Sequence, residues 1–170
     1  MVADAPIKVN HMTITFDPVG VIHTPFNDIK GMPIQPTGAA GICGTIDIFE
    51  PFVPGLKDLD GFSHVILLYH LHKVESFSLI VTPFLDSKEH GVFATRAPKR
   101  PNAIGFSVVK LNGVDGGTLQ IENVDMLNES PLIDIKPYLP EFDQFPADRL
   151  GWYEAVKGKV KDHRSDGRFR

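Results

Sequence analysis

Short apolar runs, each cut off by glycine or proline, govern what this chain can fold into. No long stretch repeats its apolar residues with a helical period, so no long amphipathic helix is predicted. Strands are predicted instead. Thr13 to Ile22 is one, broken near Asp17-Pro18 and closed by His23-Thr24-Pro25-Phe26. Gly44 to Glu50 alternates Ile46 and Ile48 with Thr45 and Asp47, as a half-buried strand does. Phe62 to Leu71 has apolar residues on both parities, as in a central strand. Phe77 to Val81, Val92 to Thr95, Ile104 to Leu111, Thr118 to Val124 and Leu132 to Lys136 complete the set. Val114-Asp115-Gly116-Gly117 is a hairpin signal between two of them. Residues 27 to 41 form a loop, and Leu56 to Gly61 and Gly151 to Val156 are short helical turns. Many short strands with Gly/Pro turns predict an all-β barrel or sandwich.

The most unusual stretch is Gly91 to Leu111. It carries Arg96, Lys99, Arg100 and Asn102 in a turn stiffened by Pro98 and Pro101. A rigid loop with two guanidinium groups suits bidentate capture of carboxylate or phosphate. The plainer reading is a surface turn whose arginines pair with nearby acids. The net charge of -4 supplies no global basic field for nucleic acid. Charge is uneven, however. Lys157, Lys159, Lys161, Arg164, Arg168 and Arg170 against Asp162 and Asp166 leave residues 157–170 at +4, and the remainder at -8. Composition alone predicts a solvated, partly disordered end there.

Other features are negative. The single cysteine, Cys43, cannot form an internal disulfide and is expected to be a small buried apolar residue in a reducing compartment. No apolar segment is long enough to span a bilayer, and the start, with Asp4 and Pro6, does not resemble a secretory signal, so a cytoplasmic location is expected. His64, His70 and His72 share one parity of the Phe62 strand, but His64 lies roughly 20 Å from His70 at strand rise, too far to share an ion. No metal is expected. His72 is better suited to a pocket. There is no Gly-x-Gly-x-x-Gly after a strand. Gly38-Ala-Ala-Gly41-Ile-Cys-Gly44 precedes a strand and lacks a helix N-terminus for phosphate.

Phe93-Ala-Thr-Arg-Ala-Pro-Lys-Arg-Pro-Asn-Ala-Ile-Gly-Phe-Ser-Val-Val-Lys-Leu111 resembles the signature of the TsaA/TrmO-like family, also called the VirR or YaeB family. Val19-Gly-Val-Ile-His-Thr-Pro-Phe26, Met32-Pro-Ile-Gln-Pro36, Leu56-Lys-Asp-Leu-Asp-Gly-Phe-Ser-His64 and Pro131-Leu-Ile-Asp-Ile-Lys-Pro-Tyr-Leu-Pro140 agree in order, so the resemblance covers roughly residues 17 to 152. It implies a mainly β fold: a single antiparallel β-barrel domain with short helical turns, YaeB-like, over residues 1–156, with a basic tail over 157–170. It implies an S-adenosylmethionine-dependent methyltransferase unrelated to the Rossmann type. Family members methylate the exocyclic nitrogen of threonylcarbamoyladenosine at tRNA position 37, and look like homodimers with the cofactor near the subunit interface.

Carried onto this sequence, the resemblance implies cofactor contacts at Pro33, Ile34 and Gln35, at His72 and Lys73, at Arg96 and Phe106, and along Asn128, Glu129, Ser130, Pro131 and Leu132. Arg96 would fork onto the cofactor's carboxylate and Phe106 would pack on adenine or ribose. The family has Asp-Gly-Thr-Pro where this chain has Asn128-Glu129-Ser130-Pro131, so without the glycine another turn shape is open there. Lys99, Arg100 and Asn102 are expected on the RNA of the anticodon loop. Asp134, His23 and Tyr138 are by type the candidates for a base that takes the substrate's proton. A cofactor-binding regulatory or RNA-binding protein without turnover, or a methyltransferase on another substrate, is the alternative.

Overall fold

A computed structural model describes residues 13–158, 163–166 and 168–169. Its strands are β1 (Gly20–His23), β2 (Cys43–Ile48), β3 (His64–His70), β4 (Ile80–Val81), β5 (His90–Gly91), β6 (Ile104–Asp115), β7 (Thr118–Glu122) and β8 (Ser130–Pro137). Six of them close into a barrel in the order β1-β2-β7-β6-β3-β8, and each neighbouring pair is antiparallel. β4 and β5 form a separate two-stranded ribbon.

The period-2 pattern decides what fills the barrel. From β3, Val65, Leu67 and Tyr69 point inward, and from β6 Ser107, Val109 and Leu111 do. They meet Ile22, Ile46, Leu119, Ile121 and Leu132 from the other four strands, each 1% exposed or less. Closing the sheet leaves no barrel edge to protect. The β6–β7 hairpin turns at Gly116, where φ is +57°, in the left-handed region that glycine adopts readily. Gly105 has another reason for its identity. It is paired with Tyr69 across β3 and β6, and a Cβ there would lie 2.3 Å from the Tyr69 ring.

Several expectations differ from what is observed. Val92–Ala94 is a 3-10 turn, not a strand, because local side chains capture its polar groups: Thr95 Oγ1 donates to the Val92 carbonyl and accepts from the Ala97 amide. The first strand is only Gly20–His23, and residues 13–18 are exposed and lie outside any strand. The expected turn at Leu56 to Gly61 is two 3-10 turns, Glu50–Leu56 and Leu59–Gly61, separated at left-handed Asp58. Gly151–Val156 is a 3-10 turn. Cys43 is exposed rather than buried, at the outer face of the first position of β2.

The tail also departs from its composition. Ser165 hydrogen-bonds to the Ile29–Met32 segment, and Phe169 is 5% exposed in a small apolar cluster with Val81, Val92 and Ala97. Lys159, Lys161, Asp162 and Arg170, like Asp4 and Pro6, lie outside the described residues. Among the described residues no helix is long and apolar enough to cross a membrane, and no group of three His, Cys, Asp or Glu could hold a metal ion.

Gly105→Ala should lower the unfolding free energy by about 1–3 kcal/mol through the clash with Tyr69. Gly91→Ala, whose Cβ would meet nothing within 4 Å, should change it by less than about 0.5 kcal/mol. Urea midpoints of the two variants check this pair.

Candidate functional site

The antiparallel order places the ends of β1, β3 and β7 and the starts of β2, β6 and β8 at one rim of the barrel. Residues 23–27, 71–73, 102–106, 122–126 and 128–132 therefore converge there. The Gly91 to Pro101 loop runs into β6 at this rim. Arg100 holds that loop in shape, because its Nη1 donates to the carbonyls of Val92 (3.2 Å), Thr95 (2.9 Å) and Ala97 (3.4 Å). The fixed loop presents Arg96 outward. Arg96 Nη1 donates to Gln35 Oε1 at 2.8 Å, and its guanidinium lies 6.0 Å from the Phe106 ring centre. Residues from two loops, 61 positions apart, thus meet over an aromatic ring that is 47% exposed.

Beside them runs a polar chain that sequence reasoning missed. Tyr69 Oη and Ser107 Oγ are 3.1 Å apart, and Ser107 Oγ donates to Asp125 Oδ1 at 2.6 Å. Burial pushes the Asp125 carboxyl up to about 6, with the Ser107 hydrogen bond and the Arg96 charge acting in the opposite direction. Burial likewise raises the Tyr69 phenol. The available signal was an acid, Asp125, set between apolar Val124 and Met126.

His72 lies just past β3. Burial, reinforced by the Lys73 and His70 charges, lowers its proton affinity against an opposing interaction with the His70 backbone, which favours the neutral imidazole. Its Nδ1 is buried without a hydrogen-bond partner. Such orphaned atoms are uncommon in folded proteins and point to a missing ligand or water. Tyr69 pairs with Leu132, which sets the 128–132 turn beside the end of β3, and the Glu129 charge there opposes the lowering. That turn keeps a left-handed residue even without glycine, since Glu129 has φ of +60°. Asn128 anchors it: Oδ1 accepts from the Thr24 amide at 3.1 Å and Nδ2 donates to Asn27 Oδ1 at 3.0 Å. Ser130 Oγ donates to the Leu127 carbonyl.

The remaining expected residues divide. Pro33 is buried and Ile34 half-buried, next to Gln35. Pro131 pairs with Val21 in the sheet, and the Leu132 side chain points into the core at 0% exposure, so it supports the turn rather than lining a site. Lys73 and Lys99 line an open cleft of about 370 Å³ with Asn27, Leu127 and Phe169. Asn102 is exposed at the loop's end. Of the three candidate bases, Asp134 is level with Leu68 and Phe106 across β8, β3 and β6. It shares their outer face, roughly 10 Å from Phe106 at two strand spacings. Its Oδ2 is 2.6 Å from Lys136 Nζ. His23 is at the rim, facing outward, with Nε2 3.2 Å from Asp47. Tyr138 is at the opposite end of the barrel, against His64, and is not brought to the others.

A family model described as the tRNA-methyltransferase O N-terminal domain matches residues 21–144. A Pyrococcus abyssi protein described as a probable S-adenosyl-L-methionine-binding protein is 49% identical over 93% of this chain and 86% of its own length. The human tRNA (adenine(37)-N6)-methyltransferase is 38% identical over 75% of this chain but only 30% of its own. The crystal structure of TrmO from Pseudomonas aeruginosa superposes with a TM-score of 0.70 at 38% identity, covering 83% of this chain and 63% of that one. This chain therefore spans less than two thirds of that solved relative. By sequence and by fold it belongs to the family of the tRNA-methyltransferase O N-terminal domain.

Proposed function

We propose that this protein binds S-adenosylmethionine at the barrel rim and methylates adenine in tRNA, with the exocyclic nitrogen of threonylcarbamoyladenosine at position 37 as the acceptor. One observation carries the reading: Arg96 and Gln35, in separate loops, hydrogen-bond over exposed Phe106 at the rim where His72 keeps a buried, unpartnered Nδ1. The names of the relatives support the cofactor and the tRNA. The residues fit the cofactor chemically. Arg96 keeps donors for a carboxylate beyond the one given to Gln35. Phe106 offers a flat apolar surface for a purine or ribose. The neutral imidazole of His72 can hydrogen-bond a ligand through Nδ1 without adding a second positive charge beside a sulfonium.

Bound S-adenosylmethionine supplies an activated methyl group, so the protein's task is mainly positioning. The acceptor nitrogen also has to lose a proton. Asp125 suits this role better than the three bases named from the sequence, because its proton affinity is raised toward neutrality. Asp134 is tied to Lys136, and Tyr138 is at the far end. Lys73 and Lys99 in the adjoining cleft would take RNA phosphates. Arg100 acts mainly through the loop that it staples. A homodimer would cover Ile104 and Phe106, which are 40% and 47% exposed on the outer face of β6. A cytoplasmic location accords with a tRNA substrate.

Incubation with S-adenosylmethionine and tRNA carrying threonylcarbamoyladenosine, followed by nucleoside mass spectrometry, should give a methylated product. Cofactor binding without any methylated nucleoside would instead favour a protein that binds without turnover.

Arg96→Ala should weaken S-adenosylmethionine binding about tenfold or more by calorimetry, with little change in melting temperature. Arg100→Ala should weaken it as well, because the loop loses its three carbonyl contacts. Asp125 gives a pH test. Its folded-state proton affinity is raised, so it contributes stability at pH below about 4 that is lost as pH rises through about 6. Asp125→Asn should therefore be more stable than the parent at pH 7, by roughly 2 kcal/mol, and equal to it near pH 3. The same change should remove the rise in methylation rate through pH 6.

A further inference from the structure

Ser165 and Phe169 reach the two loops joined by the Gln35–Arg96 bond. Ser165 pins the first. Its amide donates to the Met32 carbonyl at 2.9 Å, its hydroxyl accepts from the Met32 amide at 2.9 Å and donates to the Ile29 carbonyl, and its carbonyl accepts from the Gly31 amide at 2.9 Å. Arg164 forms an antiparallel bridge with Pro33, two residues from Gln35. Phe169 pins the second. It packs on Val92 and Ala97, which flank Arg96, and meets the Phe84 ring edge-on at 5.0 Å. Arg168 holds this end in place, with Nη1 donating to the Pro83 carbonyl at 2.8 Å and its guanidinium 5.3 Å from the Phe84 ring centre.

We infer that residues 163–166 and 168–169 act as a strap in which Ser165 and Phe169 are positioning residues, holding the Pro33–Gln35 loop and the Arg96 loop at the spacing the cofactor needs. The inference rests on the cofactor site proposed above. It explains why a chain end rich in basic residues contains a buried phenylalanine and a serine with four hydrogen bonds into a loop more than 130 positions away. The Phe169 cluster is separate from the barrel core, so strap variants should leave the barrel folded. Arg100 sets the shape of the Arg96 loop, but among the described residues the hydrogen bond between the two loops is Arg96–Gln35, between side chains at the surface, and such a bond is weak unless both backbones are already placed. Ordering both loops before the ligand arrives removes that ordering cost from binding.

The test uses the full chain with Ser165→Ala and Phe169→Ala, and with Ser165→Thr and Phe169→Leu as conservative variants. S-adenosylmethionine affinity should fall about tenfold in each alanine variant and stay within about threefold in each conservative one, with the barrel's melting temperature little changed. Hydrogen exchange supplies a signature that a local packing role would not give. Phe169→Ala should speed exchange at Gly31 and Met32, in the loop it does not touch, and Ser165→Ala should speed exchange at Thr95 and Ala97. Wild-type affinity in both alanine variants would overturn the strap, as would faster exchange confined to the loop each residue touches. If the parent protein itself binds no S-adenosylmethionine, the cofactor assignment fails, and the strap then stands or falls on the crossed exchange alone.

Discussion

The pairing of β1 with β8 is the constraint on which the rest of this structure depends. It joins Gly20 to Leu132, Val21 to Pro131 and Ile22 to Ser130, turning an open six-stranded sheet into a barrel. The Val19 amide extends the seam by donating to the Leu132 carbonyl at 2.8 Å. Closure does two things at once. It buries Ile22 and Leu132 completely, and it brings the polar turn at Asn128 against Thr24 and Asn27 at the same rim as the end of β3. Because the side-chain period of a strand is two, a slip of one residue at this seam would turn Leu132 outward and remove the turn from His72.

The rim contains polar groups that do not serve the core. Tyr69, Ser107 and Asp125 form a chain of hydrogen bonds beneath it, and Asp125 is held there against its preference for water. His72 is kept neutral with an unpartnered nitrogen. Glu129 occupies a left-handed conformation that costs a side-chain-bearing residue about 1–2 kcal/mol. Each is a local departure from what stability alone would select, and such departures cluster at functional sites. All three lie in the segments that converge where Arg96 meets Gln35. That coincidence ties the barrel's geometry to the proposed chemistry.

How far the sequence revealed this varies with the range of the interaction. The alternation of Ile46 and Ile48, the apolar β3 and the hairpin at Gly116 were legible, because strand faces and tight turns are written in neighbouring residues. The grouping of Gln35, Arg96 and Phe106 was expected only through resemblance; nothing local in positions 35 and 96 says that they touch. Val92 to Thr95 was misjudged since an apolar run does not show that Thr95 will bond back to Val92. The buried place of Phe169 was hidden by the basic residues around it, and the staple made by Arg100 by the assumption that a loop arginine looks outward. Asp125 was missed because its interest comes from Ser107 and Tyr69, which reach it across the barrel.

The central claim is that these rim segments form one S-adenosylmethionine site, and a crystal structure with S-adenosylhomocysteine tests it most directly. The ligand's carboxylate should lie within hydrogen-bond distance of the Arg96 guanidinium, about 3 Å, with its nucleoside against Phe106 and one of its polar atoms on His72 Nδ1. A ligand bound elsewhere on the barrel, with Arg96 still occupied only by Gln35 and His72 Nδ1 still unpartnered, would contradict the account.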